Sequence, residues 1–351
     1  MGYLAGYSNT FGDVTSIGYQ SGYNNTTGAR NTAIGNSALY SNSTAVDNTA
    51  VGYASALLTT GASNTGLGSV SLRFNTTGAS NTALGYAALY TNTTTSNNTA
   101  VGYQAGYANT IGSVTAVGYA ALNANTTGIQ NTAIGQASQS LNVLGRYNTS
   151  VGYNTMNANL ADYNTAVGRY VMYLNTTGTQ NTGVGANAVL NNTTGSNNTG
   201  VGYGALLTNT FGNNNTALGL SALGLNTTGA GNTAIGYQAG YAVTFGGNNT
   251  TLGYTAGNTI TTGSNNTVIG YNAQASSATA TNEVTIGNSS VNVTRLGGTT
   301  VVASLPSAAT VGAGARSFVT NALAPTFGAT VAGGGAVNVP VYSDGTNWKV
   351  G

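Results

Sequence analysis

The stretch Asn98-Thr99-Ala100-Val101-Gly102-Tyr103-Gln104-Ala105 decides the fold, because it returns with small changes along most of the 351-residue chain. With its Gly as an anchor, equivalent glycines stand at Gly2, Gly18, Gly35, Gly52, Gly68, Gly85, Gly102, Gly118, Gly135, Gly152, Gly168, Gly185, Gly202, Gly219, Gly236, Gly253, Gly270 and Gly287, and every spacing is 16 or 17. The residue before the anchor is Ile, Val or Leu in all seventeen complete repeats. Three before it stands Thr, except at Val284; four before it stands Asn, except at Val14, Val114 and Glu283. Two before it is mostly Ala, Gly or Ser. Larger and smaller side chains thus alternate with the period of a strand. The rest of each repeat, as in Asn75-Thr76-Thr77-Gly78, is turn-like, built from residues that tolerate positive φ at least cost.

A repeat of this length is too short for two helices, and it carries Gly and Asn in every copy, which disfavour helix. The pattern predicts an all-β parallel solenoid of about 17 rungs, stacked at about 4.8 Å, over residues 1–287. A small β cap or tip is expected over 288–351. The aliphatic column is expected inside. Asn in register is expected to form a ladder of side-chain amide hydrogen bonds. The anchors Gly35, Gly52, Gly85, Gly102, Gly135, Gly152, Gly185, Gly202, Gly236 and Gly270 are read as tight bends or points of close approach by another chain. The Ala/Gly/Ser column reads as a flat outer face suited to packing against copies of the chain, which points to an oligomer and to a parallel homotrimer first. The short spacing recurs every third step up to Gly202, which superposes a 50-residue period on the rung.

Composition narrows the function classes. There are 53 Gly, 7 basic and 5 acidic residues, and neither His nor Cys. A Ser-His-Asp triad, a Cys nucleophile and the usual zinc site have no residues to use. Asp13, Asp47, Asp162, Glu283 and Asp344 are far apart in sequence and rung stacking does not unite them, which argues against a carboxylate-pair glycosidase. The only Lys is Lys349, and no phosphate-binding loop or calcium-type Asp-x-Asp spacing occurs. Non-enzymatic, without cofactor or metal, is the expectation. Scattered Arg residues argue against nucleic acid, no apolar run is long enough for membrane insertion, and residues 1–6 do not read as a signal peptide.

Two resemblances add to this. Asn31-Thr32-Ala33-Ile34-Gly35, Asn131-Thr132-Ala133-Ile134-Gly135 and Asn232-Thr233-Ala234-Ile235-Gly236 resemble the head repeats of trimeric autotransporter adhesins, which are parallel β-rolls. This rung is longer than theirs, and neither a heptad stalk nor a barrel anchor follows. The C-terminal stretch, from Leu305-Pro306-Ser307-Ala308 to Val339-Pro340-Val341-Tyr342-Ser343-Asp344-Gly345-Thr346-Asn347-Trp348-Lys349-Val350, is similar to the ends of tailed-bacteriophage fibre and virion proteins. That resemblance implies a virion or extracellular location. Val339 to Val350 reads as a hairpin about Asp344-Gly345, and Gly333-Gly334-Gly335 as a joint.

Tyr is the functional candidate. It follows the anchor in eleven of eighteen cases, so a ladder is expected, interrupted at residues such as Asn36, Arg169 and Leu220. Its members Tyr53, Tyr86, Tyr103, Tyr119, Tyr153, Tyr203, Tyr237, Tyr254 and Tyr271, with Arg169 and Trp348, are the candidate surface or glycan contacts; the competing reading is a column that only packs turns or subunits. The irregular places, 136–146, Arg169-Tyr170-Val171-Met172 and the region after Gly287, are favoured for binding. The expected function is a rigid trimeric spacer of a phage fibre that presents a host-attachment tip. Its expected partners are further copies of itself, other virion components at the N-terminal end and a host-surface glycan or protein. The alternatives are a bacterial adhesin head, and a self-assembling filament subunit or ice-binding solenoid. Ice binders tend to show Thr-x-Thr, whereas the strand here reads Thr-Ala-Ile.

Overall fold

The computed structural model describes residues 2–10, 12–290, 313–322, 337–344 and 346–350. The chain divides into Met1–Ser289 and Ser290–Gly351. The first unit is a parallel β-solenoid of seventeen short strands, from β1 (Val14–Ile17) and β2 (Asn31–Ile34) to β17 (Val284–Ile286), each paired only with its sequence neighbours. Register is strict: Thr165 lies beside Thr182 and Val167 beside Val184, and the same holds along the stack. No helix occurs among the described residues. Sixteen steps from β1 to β17 make this unit about 75 Å long.

Only three or four residues per rung are strand, yet hydrogen bonding between rungs continues around the turn. Ser37 N–H donates to the Tyr19 carbonyl (2.9 Å), Ser41 N–H to Leu57 (2.9 Å) and Thr26 N–H to Ser43 (2.8 Å). Thr hydroxyls of the turn add to this: Thr76 Oγ1 donates to the Thr93 carbonyl and Thr210 Oγ1 to Thr227. A solenoid turn is viable because its backbone groups are satisfied by the rungs above and below.

The strand faces are the reverse of the sequence expectation. The Ala/Gly/Ser column points inward and is buried in every rung but the first and last, while none of the seventeen Ile, Val and Leu side chains before the anchor is buried. Ile17 is 49% exposed, Leu84 44% and Leu218 47%, whereas Ala33, Ala83 and Ala217 are fully buried. The physical reason is width. The turn after each anchor folds back over the strand and places two residues, three and four after the Gly, directly on its inner face. A Cβ on Gly183 would lie 2.5 Å from Val171 Cγ1, and one on Gly200 would lie 2.6 Å from Val189 Cγ2. Beside bulky turn residues only a small residue fits the strand position; Thr251, which lies against Gly240 and Gly257 of the turns, and Val268 are the larger residues buried there. The bulk of the core comes instead from the turn, at Leu39, Leu72, Leu89, Leu122, Met156, Met172, Leu206 and Leu223. Small and large residues interchange at close contact, as native packing density requires.

Those turn residues sit at positive φ, including Leu39 (50°), Met172 (49°) and the β-branched Val189 (53°). Such backbone is unusual for non-Gly residues, and the burial of apolar side chains in the turn offsets it. The anchor glycines do bring a close approach, but by the next rung of the same chain. Gly152 has φ +139°, and a Cβ there would lie 2.1 Å from the Gly168 carbonyl oxygen.

Two columns of buried Asn complete the interior, and the amide ladder is present. In the turn column, Asn42 Nδ2 donates to Asn25 Oδ1 (2.9 Å), Asn209 to Asn192 (2.8 Å) and Asn226 to Asn209 (2.6 Å), while each also donates to the backbone carbonyl three residues on, as Asn209 does to Gly212 (3.0 Å) and Asn42 to Ala45 (3.1 Å). In the strand column, Asn181 Oδ1 accepts from the backbone N–H of Asn198, and Asn198 Nδ2 donates to the Gly212 carbonyl (2.8 Å). Burying an amide without such partners is costly.

The second unit is described only in part. It contains an antiparallel sheet of β18 (Ala313–Ala322), β19 (Val337–Asp344) and β20 (Trp348–Val350). The hairpin expected over Val339–Val350 is present as β19 and β20, with Ser343 opposite Trp348 and Val341 opposite Val350. Gly345, Leu305–Ala308 and the Gly333–Gly335 joint lie outside the described residues.

Candidate functional site

Outward residues of a strand recur every second position. On each rung these are the Thr, the aliphatic residue and, past the anchor, the tyrosine position. The outer face of the solenoid is therefore three parallel columns repeated at the rung spacing, with hydroxyls on one flank, aliphatic groups in the middle and aromatic rings on the other.

The tyrosine column is at the surface. Tyr53 is 56% exposed, Tyr119 56%, Tyr203 58% and Tyr271 69%. Where tyrosines follow one another the rings stack. Centroids are 5.2 Å apart for Tyr86–Tyr103 and for Tyr103–Tyr119, 4.8 Å for Tyr237–Tyr254 and 5.4 Å for Tyr254–Tyr271, with interplanar angles of 14° or less. In-register stacking at the rung spacing forces this arrangement. Tyr53 and Tyr203 have no tyrosine on the adjoining rungs in that column, because Asn36, Ser69, Ala186 and Leu220 stand there. Trp348 lies in β20, away in sequence from the column.

A second aromatic column was missed in the sequence. It stands five residues after the anchor, where Tyr7, Tyr23 and Tyr40 stack at 5.3 and 5.2 Å and Tyr90 stacks on Tyr107 at 5.0 Å. A third pair, Tyr147–Tyr163, stacks at 4.9 Å. The signal was available as the recurrence of Tyr at a fixed offset from Gly, but the stronger first column masked it.

The rung of Arg169 breaks the pattern. Its guanidinium carbon lies 4.6 Å over the Tyr170 ring. The Tyr170 ring meets Tyr153 edge-on at 5.3 Å and Tyr173 edge-on at 5.5 Å. The Tyr153 hydroxyl first, then Asn154 and Arg169, hold the Tyr170 phenol below the usual tyrosine pKa, and Tyr153, beside Tyr170, is pushed the other way. Of the sequence-derived candidates, only Tyr153 and Arg169 join such a mixed cluster.

No protein-family model matches the chain, and no curated protein is significantly similar to it.

The acidic groups stay apart. Asp47 pairs with Arg30 at 2.6 Å on the surface, and that bond lowers the Asp47 pKa. Asp162 accepts from the backbone N–H of Arg146 at 2.7 Å, and Glu283 accepts from the hydroxyl and N–H of Ser276, which lowers its pKa. Among the described residues no group of three His, Cys, Asp or Glu side chains is placed to hold a metal ion.

Proposed function

We infer that this chain is a structural fibre protein of a phage virion, in which the solenoid is a stiff spacer and copies associate as a homotrimer to present a host-attachment surface, of which a glycan is the favoured target. The observation that carries the reading is the outward aliphatic column. Seventeen Ile, Val and Leu side chains in a straight row, flanked by stacked tyrosines, expose far more contiguous apolar surface than a lone soluble domain ordinarily carries. The aliphatic column with its Thr flank is a strip about 75 Å long and about 10 Å wide, on the order of 750 Å². That is close to the roughly 800 Å² per partner of a standard stable interface, and it leaves the tyrosine flank outside the contact. Its regular spacing suits a second and third copy of the same face, in which each rung meets an equivalent rung. Three copies on one rigid spacer multiply weak contacts to a surface. The similarity of the C-terminal stretch to phage fibre ends supports the virion setting.

Light scattering on the full chain behind size exclusion tests this. A mass of three times 34.8 kDa is the expected result. A monomer overturns the trimer. It would also leave the Thr and aliphatic columns open to water as a regular array, and thermal hysteresis would then decide for the ice-binding alternative. An open-ended, concentration-dependent assembly would favour the filament.

A further inference from the structure

We propose that the break in the tyrosine column at Arg169 is a binding slot for a carboxylated sugar, an inference that deepens the glycan-attachment reading above and rests on it. Along the column the successive residues are Tyr153, Arg169, Ala186 and Tyr203. Two exposed tyrosine rings thus stand three rung steps apart, about 14 Å, with the small side chain of Ala186 between them. Tyr170 meets Tyr153 edge-on at 5.3 Å; over Ala186, beside Tyr203, no ring stands in the column, which leaves room for a sugar ring, whose apolar face packs on an aromatic ring while its hydroxyls meet polar edges.

Charge sets the ligand class. Arg169 is exposed, and the ion pair of the solenoid is Arg30 with Asp47, so no carboxylate of this unit neutralises Arg169. Its planar fork matches a carboxylate in bidentate geometry. It is held in place from beneath by the Tyr170 ring. Tyr170 is fixed by its backbone N–H bond to the Tyr153 carbonyl at 3.0 Å, so the rings do not depend on the ligand for their placement. Buried Val171 and Met172 on the same rung pack into the space left by Gly183, which explains why the rung tolerates an irregular outer surface without disturbing the stack.

The test is calorimetric or fluorescence titration of the full chain with 3′-sialyllactose, with a trigalacturonate and with neutral lactose, at low and moderate salt. One acidic probe is expected to bind at least about 10-fold more tightly than lactose, the loss of a charge-assisted contact being worth roughly that factor. Which of the two acidic probes binds identifies the sugar as sialic or uronic acid. Arg169→Gln is expected to abolish the preference and Arg146→Gln to leave it intact, both at unchanged mass and circular dichroism. Equal binding of acidic and neutral probes, or a preference that survives Arg169→Gln, overturns the slot while leaving the fibre and its glycan target standing. Binding of none of the probes overturns the slot as well, and the solution mass then still decides the fibre reading independently.

Discussion

The rungs up to Gly219 and the two that follow, at Gly236 and Gly253, fill the same interior in different ways. In the first region the turn column seven residues after the anchor is Asn in nearly every rung, tied rung to rung by amide hydrogen bonds. In the second the same position is Val243 and then Ile260, both fully buried, and the bulky turn residue of the core is replaced by Gly240 and Gly257. Ile260 Cδ1 stands 3.2 Å from where a Gly257 Cβ would be, so the apolar volume has moved across the core and has not been lost. The difference teaches that apolar bulk can be supplied from either side of the core, or by the neighbouring rung, as Leu89 does beside Gly106. An Asn column is stable while its neighbour donates; where the neighbour does not, the oxygen is orphaned unless the turn supplies another donor, as Thr95 does for Asn92 and the Gly145 N–H for Asn142. Buried acceptors without a partner are Asn42 Oδ1, below Thr59; Asn125 Oδ1, whose neighbour Asn142 donates to Gln139 instead; and Asn226 Oδ1, below Val243.

The anchor glycine is common to both regions and should be equally intolerant in both. Gly219→Ala and Gly253→Ala place a Cβ 2.3 and 2.5 Å from the next carbonyl oxygen at φ of +136° and +133°. Each is expected to cost about 4 kcal/mol, the range of severe backbone and packing faults. Urea denaturation read alongside hydrogen exchange of the flanking rungs measures it. A large difference between the two would mean that the apolar end is independently soft.

A smaller effect separates the regions. Asn209→Val removes a side chain that donates to Asn192 and Gly212 and accepts from Asn226. The orphaned groups should cost about 3 kcal/mol in the same denaturation experiment. The converse change, Val243→Asn, supplies a donor for Asn226 Oδ1 but moves the orphan one rung along, and is expected to alter stability by less than about 1 kcal/mol. Equal costs for the two substitutions would remove the distinction between a polar and an apolar core.

The outward face gives the next prediction. Leu84→Asn with Leu218→Asn should leave the thermal midpoint of the chain at dilute concentration nearly unchanged, since both are exposed, and should shift the light-scattering mass from trimer towards monomer. The smallest expected effect is that of pH. Asp47 and Glu283 have lowered pKa values, so their contributions are present above the ordinary carboxylate range and are lost only as pH falls through their folded values, which lie below that range. With no His in the chain, a melting curve followed between pH 5 and 8 should be flat.

Much of this was legible in residue spacing. Anchor glycines set the rung length, Thr and Asn in fixed columns set the register, and Asn at fixed offsets announced the ladder. The tyrosine stacks followed from the same register. Two things stood out less. One was the second aromatic column, at Tyr23, Tyr40, Tyr90 and Tyr107, whose fixed offset from the anchor the first column masked. The other was the cluster at Arg169, whose meaning depends on Asn154 and Tyr173 being carried to the same place by the turn.

The sequence by itself determined that the chain is a parallel stack of 16- or 17-residue rungs with every like residue above its like, because a period repeated seventeen times leaves one consistent register. It could not determine which side of the strand is inside. Alternation at Thr99-Ala100-Val101 defines two faces and assigns a sign to neither, and hydrophobicity alone chose Val101. Tertiary structure reversed that choice. The turn after each anchor lays Leu89 or Leu122 against the strand, and a rung this short has room between strand and turn for Ala100 and not for Val101. The sign of the face was decided by the volume that the rest of the rung had already brought inside.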